Sequence, residues 1–106
     1  VIHDMAKPRQ ALENIRRHLK PGGIYVLQEI SAADERHENR GPEATLKYGM
    51  SLTYCMTTSL ANHGEGLGTL GMPQKVVREL CTEAGFGEVR KLACSNDFIS
   101  LFEVRV

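Results

Sequence analysis

A helix, a Pro-Gly-Gly stop and an apolar β-prone run lie end to end between residues 8 and 30, and few architectures other than α/β accommodate that order. Pro8 presets φ for a first helical turn. Leu12, Ile15 and Leu19 then recur at helical spacing, while Arg9, Glu13, Arg16, Arg17 and Lys20 fill the opposite side. Pro21-Gly22-Gly23 ends that helix, because proline cannot continue the hydrogen-bond ladder and glycine accepts the left-handed conformation that closes it. Ile24 to Ile30 follows with apolar residues on both of its sides, the pattern expected of a strand covered on both faces in a parallel sheet.

The rest of the chain extends this unit. Val1-Ile2 resembles the tail of a buried strand that gives way to a loop at His3-Asp4, so the chain is expected to be an excerpt of something longer. Ser31 to Gly41 is strongly polar and is expected to be a linker. From Tyr48 to Gln74 the character reverses: with 25% of the chain charged, about seven of these 27 residues should carry charge, yet only Glu65 does. Leu46, Met50, Thr53, Met56 or Thr57, and Leu60 fit a helix in this segment, which Asn62-His63-Gly64 ends. A further amphipathic helix begins near Pro73, carrying Val76, Val77, Leu80, Cys81 and Ala84 on one side, and stops at Ala84-Gly85-Phe86-Gly87. Val89 to Ala93 and Phe98 to Val106 are expected to pair as an antiparallel hairpin across Cys94 to Asp97. The expected order is β, α, β, insert, α, β, β, in a mostly parallel sheet that ends in an antiparallel hairpin.

Composition removes several classes of function. Thirteen basic and thirteen acidic residues cancel, so no global field is available to hold nucleic acid or an anionic membrane. No apolar run approaches the roughly 20 residues that span a bilayer. Cys55, Cys81 and Cys94 are odd in number and form no CxxC pair, which fits a reducing cytoplasm. His3, His18, His37 and His63 have no ligand-like spacing, so no metal site is expected.

The order of these motifs resembles the carboxyl-terminal half of a class I S-adenosylmethionine-dependent methyltransferase, a Rossmann-like fold. Val1-Ile2-His3-Asp4 resembles the end of that fold's fourth strand and the loop beneath the cofactor. Leu19-Lys20-Pro21-Gly22-Gly23 resembles its turn into the fifth strand, and Ala84-Gly85-Phe86 its turn into the sixth. The stretch Ser51 to Leu60, followed by Gly64 to Gly68, is similar to a segment of methyltransferases that act on small molecules. The resemblance covers essentially the whole chain, with 31–72 as a substrate-side insert. It implies S-adenosylmethionine as cofactor, with Ile2, His3 and Asp4 on its binding side. The glycine-rich loop and the ribose-binding acid of that family are not among these 106 residues, so the isolated chain is expected to be inactive.

In open α/β sheets ligands bind beyond the carboxyl ends of the strands, which puts His3-Asp4 and Glu29-Ile30 on one rim. Methyl transfer from a sulfonium is an in-line displacement governed by alignment, so a catalytic residue is not obligatory. For a hydroxyl or amine acceptor that must lose a proton, His3 is the best-placed base. The alternative is a His3 that only hydrogen-bonds in a strand-end loop while Asp4 makes a local turn. Glu29, Tyr54, Cys55, Met56 and His63 are candidates for the acceptor pocket; at helical spacing the last four are more often core, and a paired structural carboxylate is the favoured alternative for Glu29. Gly66-Leu67-Gly68-Thr69-Leu70-Gly71 spells GxGxxG but follows a helix-like segment, so a flexible substrate-side loop is favoured over a dinucleotide site. Two other readings remain open: a non-catalytic α/β interaction module, and a fragment of a nicotinamide-dependent Rossmann enzyme. An exposed sheet edge would also permit a homodimer, by edge pairing or domain swapping.

Overall fold

The computed structural model describes residues 1–68 and 72–106. Its elements run in the order 3-10 turn Ile2–Asp4, α1 Pro8–His18, β1 Ile24–Ile30, 3-10 turn Arg36–Glu38, α2 Gly41–Met50, a π-helical turn Ser51–Cys55, α3 Met56–Ala61, α4 Gln74–Glu83, β2 Glu88–Leu92 and β3 Ile99–Arg105.

The sheet corrects the expected fold class. Among the described residues it has three strands in the order β1-β3-β2, and β3 pairs antiparallel with both neighbours. The mostly parallel, partial Rossmann-like sheet is therefore not what forms. β1 and β2 point the same way, but β3 separates them, so these two do not share a ladder. Side-chain demand explains the order. Ser100, Phe102 and Val104 of β3 are all buried, which calls for the central position, whereas β2 carries exposed Arg90 and Lys91, residues suited to an edge. The expected opening strand is absent as well: Ile2–Asp4 coils into a 3-10 turn, and Ile2 fills the core beside Leu12 and Leu27.

Among the described residues, only one face of the sheet is covered. α1 and α4 lie on it, and Leu12, Leu27, Val77, Leu80, Cys81, Phe86, Phe102 and Val104 form a continuous core, with Tyr25 stacked on Phe86 at a ring separation of 6.3 Å. On the other face Ile24 and Val26 stay exposed, contrary to the two-sided cover expected for β1. An Arg90–Glu103–Arg105 cluster lies on that outer face, where the two arginines hold the Glu103 carboxyl below its usual range. This one-sided cover is consistent with an accessible surface of 6563 Å², above the roughly 5,900 Å² expected of a compact chain of this mass.

Long-range polar ties fix the remaining elements. The helix α4 starts at Pro73 without a side-chain cap of its own, and Asp34 supplies one from a distance by accepting from the Lys75 amide at 2.9 Å. Arg16 donates to the Gly85 carbonyl at 2.6 Å, which ties α1 to the end of α4, where Gly85 has φ 93°. The expected 31–41 linker is polar as foreseen, though Asn39 folds it back on Ala33 and α2 already begins at Gly41. Among the described residues, no helix is long and apolar enough to cross a membrane.

Candidate active site

Three elements far apart in sequence converge on the imidazole of His3. The 3-10 turn carries His3 itself, β1 brings Glu29 near its carboxyl end, and the π-helical turn brings Cys55. His3 Nδ1 is hydrogen-bonded to Glu29 Oε2, and His3 Nε2 lies 3.3 Å from Cys55 Sγ. All three side chains are buried, with residue exposures of 6%, 2% and 6% for His3, Glu29 and Cys55. A carboxylate only accepts, so the proton sits on Nδ1, and in the neutral ring Nε2 keeps its lone pair toward the thiol. Glu29 Oε1 accepts no hydrogen bond among the described residues, and the Val1 nitrogen at 3.7 Å is beyond hydrogen-bond range. A buried acceptor left in this condition is costly, and a donor on a ligand would relieve it.

The helix spanning Gly41–Ala61 explains how Cys55 arrives there. Its buried residues are Ala44, Lys47, Ser51, Cys55 and Ser59, a stripe of small and polar side chains, and the π-helical turn keeps Ser51, Cys55 and Ser59 in line. Ser59 fastens α3 to the 3-10 segment: its hydroxyl donates to the Met5 carbonyl at 3.1 Å and accepts from the Gly66 amide at 3.0 Å. Gly64 passes so close to Ala6 and Ser59 that a Cβ there would collide with backbone. At the other end Lys47 donates to the Ser31 carbonyl at 2.5 Å, pairs with Glu43 at 2.7 Å and lies 5.0 Å from the Phe98 ring centroid.

One cavity lies against β1 and another against this helix. One of about 350 Å³ is lined by Val1, His3, Gln28, Glu29 and Ile30. The other, about 660 Å³, is bounded by the 33–39 loop, the start of α4, and Tyr48, Ser51, Leu52 and Met56. The smaller one is lined by the histidine–carboxylate pair, and the larger one is not.

The predicted site residues are thus distributed unevenly. His3, Glu29 and Cys55 come together. Asp4, half-buried, joins His3 and Cys55 in a compact group of ligand-type atoms. The Ile2 side chain is spent in the core, Met56 lines the larger cavity, Tyr54 is 63% exposed on the outer side of the helix, and His63 ends α3 in a left-handed conformation, φ 57°, also exposed. Gly66 and Gly68 have positive φ in a loop, whereas Thr69, Leu70 and Gly71 of the GxGxxG string lie outside the described residues. Ser59 and Lys47 were missed by sequence reasoning. The repeat of small polar residues four apart, Ser51, Cys55 and Ser59, inside an uncharged helix was the available signal. Away from this site, burial pushes the Cys81 thiol up to about 11 and the Tyr25 phenol up to about 12, the latter helped by Cys81 and Glu29.

No protein-family model and no curated protein matches the chain. Among solved structures it is similar to one described as that of a possible exported protein from Bordetella parapertussis, with a TM-score of 0.57 and 15% sequence identity. The match covers 98% of this chain and 35% of the other, so the chain spans about a third of that protein's length. At this identity the likeness is one of fold.

Proposed function

We propose that this chain belongs to an S-adenosylmethionine-dependent methyltransferase that acts on a small molecule, with His3 as the base that takes the acceptor's proton. The observation that carries the reading is the buried Glu29–His3 pair at the wall of the 350 Å³ cavity. With Nδ1–H held by Glu29, Nε2 is the basic nitrogen, and the Glu29 carboxylate stabilises the imidazolium formed when a hydroxyl or amine gives up its proton. In the absence of an acceptor the Cys55 thiol sits against Nε2 as a weak donor, which the acceptor's stronger O–H or N–H displaces. Glu29 Oε1, which accepts no hydrogen bond among the described residues, offers a second polar anchor for the acceptor.

The cofactor supplies an electrophilic methyl group when bound. His3, Asp4 and the backbone at Ile2 would flank it, and the half-buried Asp4 carboxylate suits a polar group of such a ligand. The residues that enclose its other side would come from elsewhere in a longer protein. Cytoplasmic residence suits a chain whose three cysteines are odd in number and form no CxxC pair. The exposed edge of β1 is a site at which a second copy could pair or swap, and no role with nucleic acid or membrane is proposed. Titration of the parent protein with S-adenosylmethionine, S-adenosylhomocysteine and NAD tests the assignment. Binding of the first two supports it; binding of NAD alone replaces it with a nicotinamide enzyme.

The second reading, a non-catalytic interaction module, is favoured by one observation: Leu46, Leu52, Tyr54 and Leu60 of the long helix are all exposed. A parent protein that binds none of the three ligands would make it the better account.

A further inference from the structure

We propose that His3, Asp4 and Cys55 form a binding site for one divalent transition-metal ion of the zinc class, with Glu29 orienting the histidine ligand. Their ligand atoms, an imidazole nitrogen, a carboxylate oxygen and a thiol sulfur, all lie within 4.8 Å of one another. The first edge of a coordination tetrahedron is already in place. Zinc bonds of about 2.05 Å to nitrogen and about 2.3 Å to sulfur at the tetrahedral angle separate the two ligand atoms by about 3.5 Å; His3 Nε2 and Cys55 Sγ are 3.3 Å apart. The Asp4 carboxylate supplies an oxygen within 4.8 Å of the Cys55 sulfur and of an imidazole nitrogen of His3.

The surroundings fit the same conclusion. Metal-binding histidines commonly donate their second ring N–H to a carboxylate, which fixes the tautomer and raises ligand basicity, and Glu29 holds His3 Nδ1 in that manner. Asp4 makes no hydrogen bond or ion pair of its own among the described residues, so it enters the coordination sphere without breaking one. A set of one sulfur, one nitrogen and one oxygen selects zinc-like ions over magnesium or calcium, which prefer oxygen alone. Three protein ligands leave a fourth position for water or another small ligand, the arrangement of an exchangeable site rather than a closed structural one. On binding, the Cys55 thiol loses its proton to solvent and the sulfur–metal bond forms. Sequence spacing hides the site, because Cys55 lies 52 residues from His3.

One consequence rests on the reading of His3 as a base. A metal on Nε2 uses the lone pair that would accept the acceptor's proton, so the loaded protein would be silent in methyl transfer. The site itself requires no methyl donor and is tested without one. Cobalt(II) added to the chain should give the thiolate-to-metal charge-transfer absorption of one coordinated sulfur. Cys55→Ser should abolish that band, Cys81→Ser and Cys94→Ser should preserve it, and Glu29→Gln should weaken binding about 10- to 100-fold. X-ray absorption at the zinc edge of the unaltered chain gives an answer even where a variant fails to fold: one sulfur with mixed nitrogen and oxygen neighbours is expected. Absence of the band, its survival in folded Cys55→Ser, or a zinc shell with no sulfur overturns the proposal.

Discussion

The helices of this chain follow opposite rules. In α1 and α4 the large apolar side chains, Leu12, Val77 and Leu80, turn inward and arginines and glutamates turn out. Along Gly41–Ala61 the inward residues are Ala44, Lys47, Ser51, Cys55 and Ser59, while Leu46, Leu52, Tyr54 and Leu60 face outward. The first pair is held by removal of apolar surface from water, worth about 1.5–3 kcal/mol for a fully buried leucine. The second is held chiefly by directed polar ties, those of Ser59, Lys47 and Cys55. The contrast indicates that the long helix is organised around the His3 site rather than around a hydrophobic core.

The comparison fails if substitutions in the two regions behave alike. The largest effect is expected at Leu12, which is fully buried between α1 and the sheet: Leu12→Ala should cost about 2–5 kcal/mol in urea unfolding. Ser59→Ala strands the Met5 carbonyl and the Gly66 amide, and should cost about 1–3 kcal/mol although it removes a single oxygen. Alkali should loosen the apolar region. Cys81 and Tyr25 ionise at higher pH folded than unfolded, so the stability they confer is complete below pH 9 and declines as pH rises toward 11 and 12. Unfolding curves at rising pH should show that decline, and it should shrink in Cys81→Ser. The smallest effect is expected at Leu52, 63% exposed: Leu52→Ser should stay within about 0.5 kcal/mol of the parent. A large loss there would mean that the outward apolar face is part of a packed interface.

The same division separates what is legible in the sequence from what is not. Capping and periodicity are local, and they delimit α1 from Pro8, β1 at 24–30, and a closing hairpin near 89–93 and 98–106 that forms at Glu88–Leu92 and Ile99–Arg105. The order of strands in a sheet is decided by competition for burial among distant segments. β3 takes the centre because its three inward residues Ser100, Phe102 and Val104 are buried, and no local signal in β1 reports that. Val1-Ile2 has strand-forming side chains, but Ile2 gains more by entering the core than an isolated strand would gain without a partner. At the site, His3 and Glu29 were legible as neighbours on a rim. Cys55 was not legible as their partner, since its approach depends on the π-helical turn and on Ser59 anchoring α3 to the segment that carries His3.

The account depends most on the proton-accepting role of His3 Nε2, backed by Glu29. The direct measurement compares two acceptors in the parent protein and its His3→Ala variant: a hydroxyl that is protonated at the assay pH, and an acidic analogue already ionised there. The account predicts a loss of about 10²- to 10⁴-fold for the first and little change for the second. Equal losses for both, or none for either, would contradict it.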